Sequence, residues 1–136
     1  MDGARNQAFK GRIKRQLVKL GSSLRGNVAL ELEPVYQTIV DRDLARLNVP
    51  NGFYPVGFAA NYGLFYIVLR AVQEFRLKFV VELGAGQTTL LIDALRKAGH
   101  LSADALTIEH DAFWSSRIAK LVGHRVICAP LIAAQR

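Results

Sequence analysis

Residues Phe79–Leu91 read FVVELGAGQTTLL. An apolar run containing two valines meets a carboxylate, Glu82, before Leu83 leads into Gly84, Ala85 and Gly86. The run Phe79–Leu83 is too short for a helix and rich in side chains that suit a pleated surface, so it predicts a buried strand. The glycines predict a tight turn, and Thr88–Ala98, closed by Gly99 as a left-handed cap, predicts a helix. An acid therefore stands at the end of a strand, just before a glycine turn. The fold and the ligand chemistry both turn on why it is there.

Downstream the alternation continues. Ala105–Glu109 predicts a second strand, and Asp111 caps a helix that runs to Val122 and ends at Gly123. Arg125–Ala129 predicts a third strand. Strands alternating with helices pair in parallel through right-handed crossovers, which is the first half of a doubly wound α/β sheet. Upstream the pattern is helical. Pro34 suits a first helical turn, with Val35, Ile39, Val40, Leu44 and Leu47 on one face. Asn48, Pro50, Asn51, Gly52 and Pro55 make a loop. Asn61 caps a second helix reaching about Phe75, with Leu64, Phe65, Val68, Leu69 and Val72 inward. The chain thus reads as an N-terminal arm (1–30), a helical prelude (31–76) and a partial Rossmann-like domain (77–136).

The chain has 136 residues, 51% hydrophobic and 21% charged, which suits one globular domain with its own core. The net charge of +7 is concentrated in the arm, where seven basic side chains face Asp2 alone in residues 1–30. The stripe Phe9, Ile13, Leu17, Leu20 and Leu24 makes this arm a basic amphipathic helix. Two readings stand: contact of residues 5–25 with nucleic acid or anionic membrane, or packing of the stripe on the domain or on another chain. The arm does not fit a secretory signal, and no apolar run spans a membrane, so the expected compartment is the cytoplasm. The single cysteine, Cys128, reads as a buried, inert thiol. His100, His110 and His124 lack a metal-ligand spacing, and Ser115 and Ser116 lack a nucleophile-elbow pattern.

In parallel sheets of this kind ligands bind beyond the carboxyl ends of the strands. Glu82, Gly84 and Gly86 lie there after the first strand and Glu109 at the end of the second. From Gly86 to Glu109 is 23 residues, close to the spacing of a carboxylate that reaches ribose hydroxyls. The constellation reads as a site for a nucleoside-bearing cofactor. A nicotinamide dinucleotide prefers a third glycine where Thr89 stands, and its pyrophosphate would be repelled by Glu82. S-adenosylmethionine carries no phosphate, and its amino group and sulfur are cationic. A carboxylate beside the turn favours that ligand.

The segments VVELGAGQTT and LTIEHD resemble the first two motifs of class I S-adenosylmethionine-dependent methyltransferases, over roughly residues 77–131. The resemblance implies that Glu82 helps hold the methionine end, that Gly84, Ala85 and Gly86 pass the adenosine, and that Glu109 binds the ribose hydroxyls. His110 and Asp111 would lie beside the adenine, although Asp111 serves equally as a helix cap. Thr88 replaces the family's third glycine. The family also has a seven-stranded sheet with acceptor residues after the fourth strand, and its third strand is often followed by an acid that CAPLIAAQR lacks. The expectation is a methyltransferase with an unknown acceptor. The chain would be a fragment, or a shortened relative completed by a second copy or another partner, or a non-catalytic domain of the same fold. A nicotinamide-dependent oxidoreductase is the remaining alternative.

Overall fold

The computed structural model describes residues 32–55 and 60–132. The chain divides into two compact units, residues 1–35 and 36–136, and the predicted site falls in the second. The basic arm lies outside the described residues.

Residues 32–46 are helical (α1), and Asn48 at φ 51° ends the following turn so that the Val49 N–H reaches the Leu44 carbonyl at 3.0 Å. The helix α2, Tyr62–Glu74, starts where Asn61 predicts, with the Asn61 side chain accepting from the Leu64 N–H at 2.8 Å. Val40 and Leu44 of α1 share one core with Phe65 and Leu69 of α2. Asp43, almost fully buried, ion-pairs with Arg70, which also lies over the Tyr66 ring at 5.6 Å. The loop between the helices is tied forward by the Tyr54 N–H to the Gln87 side chain at 2.9 Å.

From there the chain alternates as expected: β1 (Phe79–Leu83), α3 (Gln87–Lys97), β2 (Asp104–Glu109), α4 (Ala112–Ala119) and β3 (Arg125–Cys128). All pairing is parallel and the order is β1-β2-β3. Among the described residues the fold is α/β, with a three-stranded parallel sheet and four helices. Leu91, Ile92 and Leu95 of α3 complete the core begun by α1 and α2, so the helical prelude and the first crossover helix bury one another. Register sets Glu82 beside Thr107, and Val81 beside Leu106 on the alternate face. No helix among the described residues is long and apolar enough to cross a membrane.

Four expectations need correction. The strand β1 is not buried: Phe79, Val81 and Leu83 are 56%, 53% and 81% exposed, because β1 is an edge strand and these alternate side chains point to a face without cover. Leu64 is exposed rather than inward, one step round α2 from the buried Phe65–Leu69 stripe. The last helix stops at Ala119, and Gly123 does not adopt a left-handed conformation; its N–H instead donates to Asp93. Cys128 is exposed, since it ends a four-residue edge strand.

Exposure separates two leucines cleanly. Leu95→Ala, at a position with no exposed surface, should cost about 2–5 kcal/mol through lost contacts and a residual cavity. Leu83→Ser should change stability by less than about 0.5 kcal/mol. Urea unfolding of both variants checks this, and equal losses would mean that the face bearing Leu83 is covered in solution.

Candidate functional site

The end of β1 passes into α3 through the glycine turn. Gly84 has φ +88°, which favours glycine, and its N–H extends the β1–β2 ladder to the Ile108 carbonyl at 2.8 Å. Gly86 caps α3, and the Thr89 hydroxyl accepts the Gly86 N–H at 2.8 Å. That same hydroxyl donates to Glu82 Oε2 at 2.6 Å. Thr107, opposite on β2, donates to Oε2 at 3.0 Å, and Thr88 donates to Oε1. A carboxylate offers about four acceptor positions. Three hydroxyls fill three of them, and one position on Oε1 remains. A half-buried anion is tolerated here because it is hydrogen-bonded on nearly every side.

Glu109 closes the other side. Its side chain is buried, and Oε2 accepts the Ala85 N–H at 2.7 Å while Oε1 accepts the Asp111 N–H at 2.9 Å. His110 Nδ1 also lies 2.9 Å from Oε1. The Asp111 N–H, then that of Ala85, hold the Glu109 carboxyl below the usual range despite burial, and His110 adds to the effect. Trp114 donates its indole N–H to the Ala85 carbonyl at 2.6 Å, so both polar groups of Ala85 are engaged. Asp111 caps α4 by accepting the Trp114 N–H at 2.6 Å.

Behind Thr107 runs a buried relay. Because Thr107 gives its proton to Glu82, His124 Nε2, 3.0 Å away, must donate to the Thr107 oxygen. His124 Nδ1 has no hydrogen-bond partner and lies 3.7 Å from Asp93 Oδ1. Burial pushes the Asp93 carboxyl up, but the Lys97 ammonium at 2.6 Å, the Gly123 N–H at 2.7 Å and His124 together outweigh it, and the group sits below its usual range. A Thr–His–Asp sequence of this kind suggests a nucleophile, but Thr107 is 1% exposed and its proton is committed.

Alongside β1 lies a cavity of about 280 Å³, bounded by Leu64 and Val68 of α2, by Val81 and Leu83, and by Ile92. Glu82 and Thr88 are its polar lining groups. A Cβ placed on Gly84 or Gly86 would meet nothing within 4 Å, so the turn faces open space.

The structure therefore brings Glu82, Gly84, Ala85, Gly86, Glu109 and His110 to one turn. Glu109 is no free acceptor at a strand end, however; it braces the glycine turn. Sequence reasoning noticed Thr88 and Thr89 only as departures from glycine, and missed Thr107, His124, Asp93 and Trp114. Aligning the carboxyl ends of the two strands, Leu83 and Glu109, would have placed Ile108 opposite Glu82; the register is one residue offset and brings Thr107 there instead. The contacts of Trp114 and His124 had no signal in spacing. No group of three or more His, Cys, Asp or Glu side chains among the described residues is placed to hold a metal ion.

Two measurements test this bracing. Thr89→Val strips one donor from Glu82 and orphans the Gly86 N–H, so it should cost about 1–3 kcal/mol; a neutral result would disconnect Thr89 from the turn. Glu109 titrates lower in the folded chain than in the unfolded one. Its contribution is complete above the ordinary glutamate pKa of about 4.3 and is lost as pH falls through the lower folded value. The stability difference between the natural chain and Glu109→Gln should be constant near neutrality and shrink below about pH 4.3. A difference independent of pH would mean that the carboxylate is not held by these amides.

Compared with known protein families, curated proteins and solved structures, the chain finds no match.

Proposed function

We propose that residues 77–131 form the cofactor-holding half of a class I S-adenosylmethionine-dependent methyltransferase. The observation that carries this reading is Gly86. Its φ of −177° is extended backbone open to any residue, and a side chain there would meet nothing within 4 Å. Packing inside the chain does not require glycine at this helix cap, and the open space leaves room for close approach of a ligand to the turn. The flanking acids suit the two ends of that ligand. Glu82 keeps one acceptor position for an ammonium group, and Glu109 stands on the far side of the turn for a ribose hydroxyl. A dinucleotide would bring a pyrophosphate against both carboxylates, which repels it.

When bound, the cofactor supplies a methyl group on a cationic sulfur. The residues of this chain hold and orient it, so their contribution is positioning. The acceptor is unassigned. The exposed apolar side chains of β1 favour a second reading, a non-catalytic domain of the same fold that engages another chain at this edge.

A thermal-shift panel separates the readings. S-adenosylmethionine and its demethylated product should both stabilise the full chain, and nicotinamide dinucleotides should not. By calorimetry, Glu82→Gln should weaken binding by about 1–3 kcal/mol, the worth of a charge-assisted hydrogen bond. The single tryptophan, Trp114, reports by fluorescence that the turn is intact in the variant. Stabilisation by a dinucleotide alone would sink the methyltransferase reading, and stabilisation by neither ligand would leave the non-catalytic one.

A further inference from the structure

We propose that the β1 edge pairs with β1 of a second copy of this chain, antiparallel about a twofold axis at Val80, so that Lys78 of each copy reaches Glu82 of the other. This rests on the second reading above, in which the edge engages another chain, and it names that chain.

The backbone fixes which groups face outward. The Lys78 carbonyl accepts the Asp104 N–H, and the Gly84 N–H donates to the Ile108 carbonyl, so the even-numbered positions turn their peptide groups toward β2. Phe79, Val81 and Leu83 turn theirs the other way, and β1 pairs only with β2 among the described residues. In an antiparallel twofold pairing, an axis at Val80, at Val81 or at Glu82 sets two or more of these outward residues opposite one another. Charge decides among the axes. An axis at Glu82 opposes the two Glu82 carboxylates. An axis at Val81 sets Glu82 opposite Val80 and Lys78 opposite Gly84, and matches neither charge. An axis at Val80 sets Lys78 opposite Glu82, twice by symmetry, and Phe79 opposite Val81. Lys78 and Glu82 then form a non-hydrogen-bonded pair, the kind whose side chains approach most closely.

Both charges have room for the contact. Three threonine hydroxyls hold Glu82 and leave one acceptor position on Oε1. Lys78 is exposed, and none of the ion pairs among the described residues uses it. Glu82 lines the apolar cavity beside the edge, walled by Leu64 and Val68, so a cation brought there by a second strand meets it with little water between. On the opposite face the exposed Phe79 and Val81 gain each other as cross-strand neighbours. Lys78 takes the position that the cofactor reading leaves for an ammonium group, so self-pairing and that ligand exclude each other at Oε1.

Sedimentation equilibrium of the full chain, with no ligand added, is the test. It should show a monomer–dimer equilibrium that stops at two copies, because the pairing is isologous and uses up the edge. Lys78→Glu sets like charges opposite each other twice and should raise the dissociation constant about tenfold or more, whereas Lys78→Arg should keep the dimer. Val81→Pro removes an outward N–H without touching the β1–β2 ladder, and should leave a monomer. Trp114 fluorescence reports that each variant keeps the glycine turn. A dimer indifferent to Lys78→Glu or to Val81→Pro, or association that grows past two copies, overturns the proposal. A monomer at every concentration overturns it too, and hydrogen exchange at the Val81 amide then decides the reading beneath it. Fast exchange leaves the edge open to a different partner. Slow exchange means that the edge is covered within the chain, and the second reading falls with the proposal.

Discussion

The constraint on which the rest of the site depends is the charge of Glu82. An ionised carboxylate at the end of a strand, flanked by an apolar cavity, is costly unless its oxygens are satisfied. Three threonine hydroxyls satisfy it, two from the first turn of α3 and one from β2. Each also ties Glu82 to the element that it comes from, so the charge joins β1 to both neighbours. The glycine turn is held between these ties and a second set, in which Glu109 and Trp114 grip the N–H and C=O of Ala85. Two carboxylates thus brace one turn from opposite sides, each through neutral donors. Their mutual repulsion is limited because the hydroxyls and amides spread their charge.

The same economy of protons carries the network away from the site. The Thr107 hydroxyl has one hydrogen, and Glu82 can only accept it. His124 must then donate from Nε2. Its other nitrogen is left facing Asp93 at a distance too long for a hydrogen bond. Asp93 in turn holds the Gly123 N–H and Lys97, which anchors the approach to β3 onto α3. A single polar row therefore runs from the glycine turn through the sheet to the back of α3. Gly123 acts here through its N–H, which Asp93 accepts, and not as a helix cap; a Cβ there would lie 3.6 Å from the Asp93 carboxylate, in ordinary contact, so this contact does not demand glycine.

The strands, their order of appearance and the Asn61 and Asp111 caps were legible in the sequence because each has a local cause: an apolar run of strand length, or a side chain that reaches its own helix. The exposure of the face bearing Phe79, Val81 and Leu83 was not legible, because FVVEL has the composition of a buried strand and the cover of a face depends on what packs against it. Cys128 failed for the same reason. At the site, Glu82 and Glu109 could be placed because strand ends and spacing locate them. What they bind could not be read, since it depends on Thr107 and Trp114, 25 and 29 residues from their partners Glu82 and Ala85. The threonines at 88 and 89 are the instructive case. Against a glycine template they look like losses. In the structure they are the donors that make an acid at position 82 tolerable.

That trade also bears on the edge. Edge strands in natural proteins are blunted by charges, prolines or bulges. The one charge inside β1 is Glu82, and it is turned toward hydroxyls on the covered face, so it does nothing to protect the edge. The exposed side of the strand is Phe79, Val81 and Leu83, continuing across the sheet into the half-buried Leu106, Ile108 and Ile127. The cavity alongside the edge reaches from Leu77 to Leu83 and has Glu82 in its wall. Edge and acid are therefore not independent features. Whatever lies along β1 also bounds the remaining acceptor position of Glu82, removes water from it and strengthens any cation contact made there. A charged ligand held at Glu82 would therefore be coupled through that wall to the covering of the sheet edge.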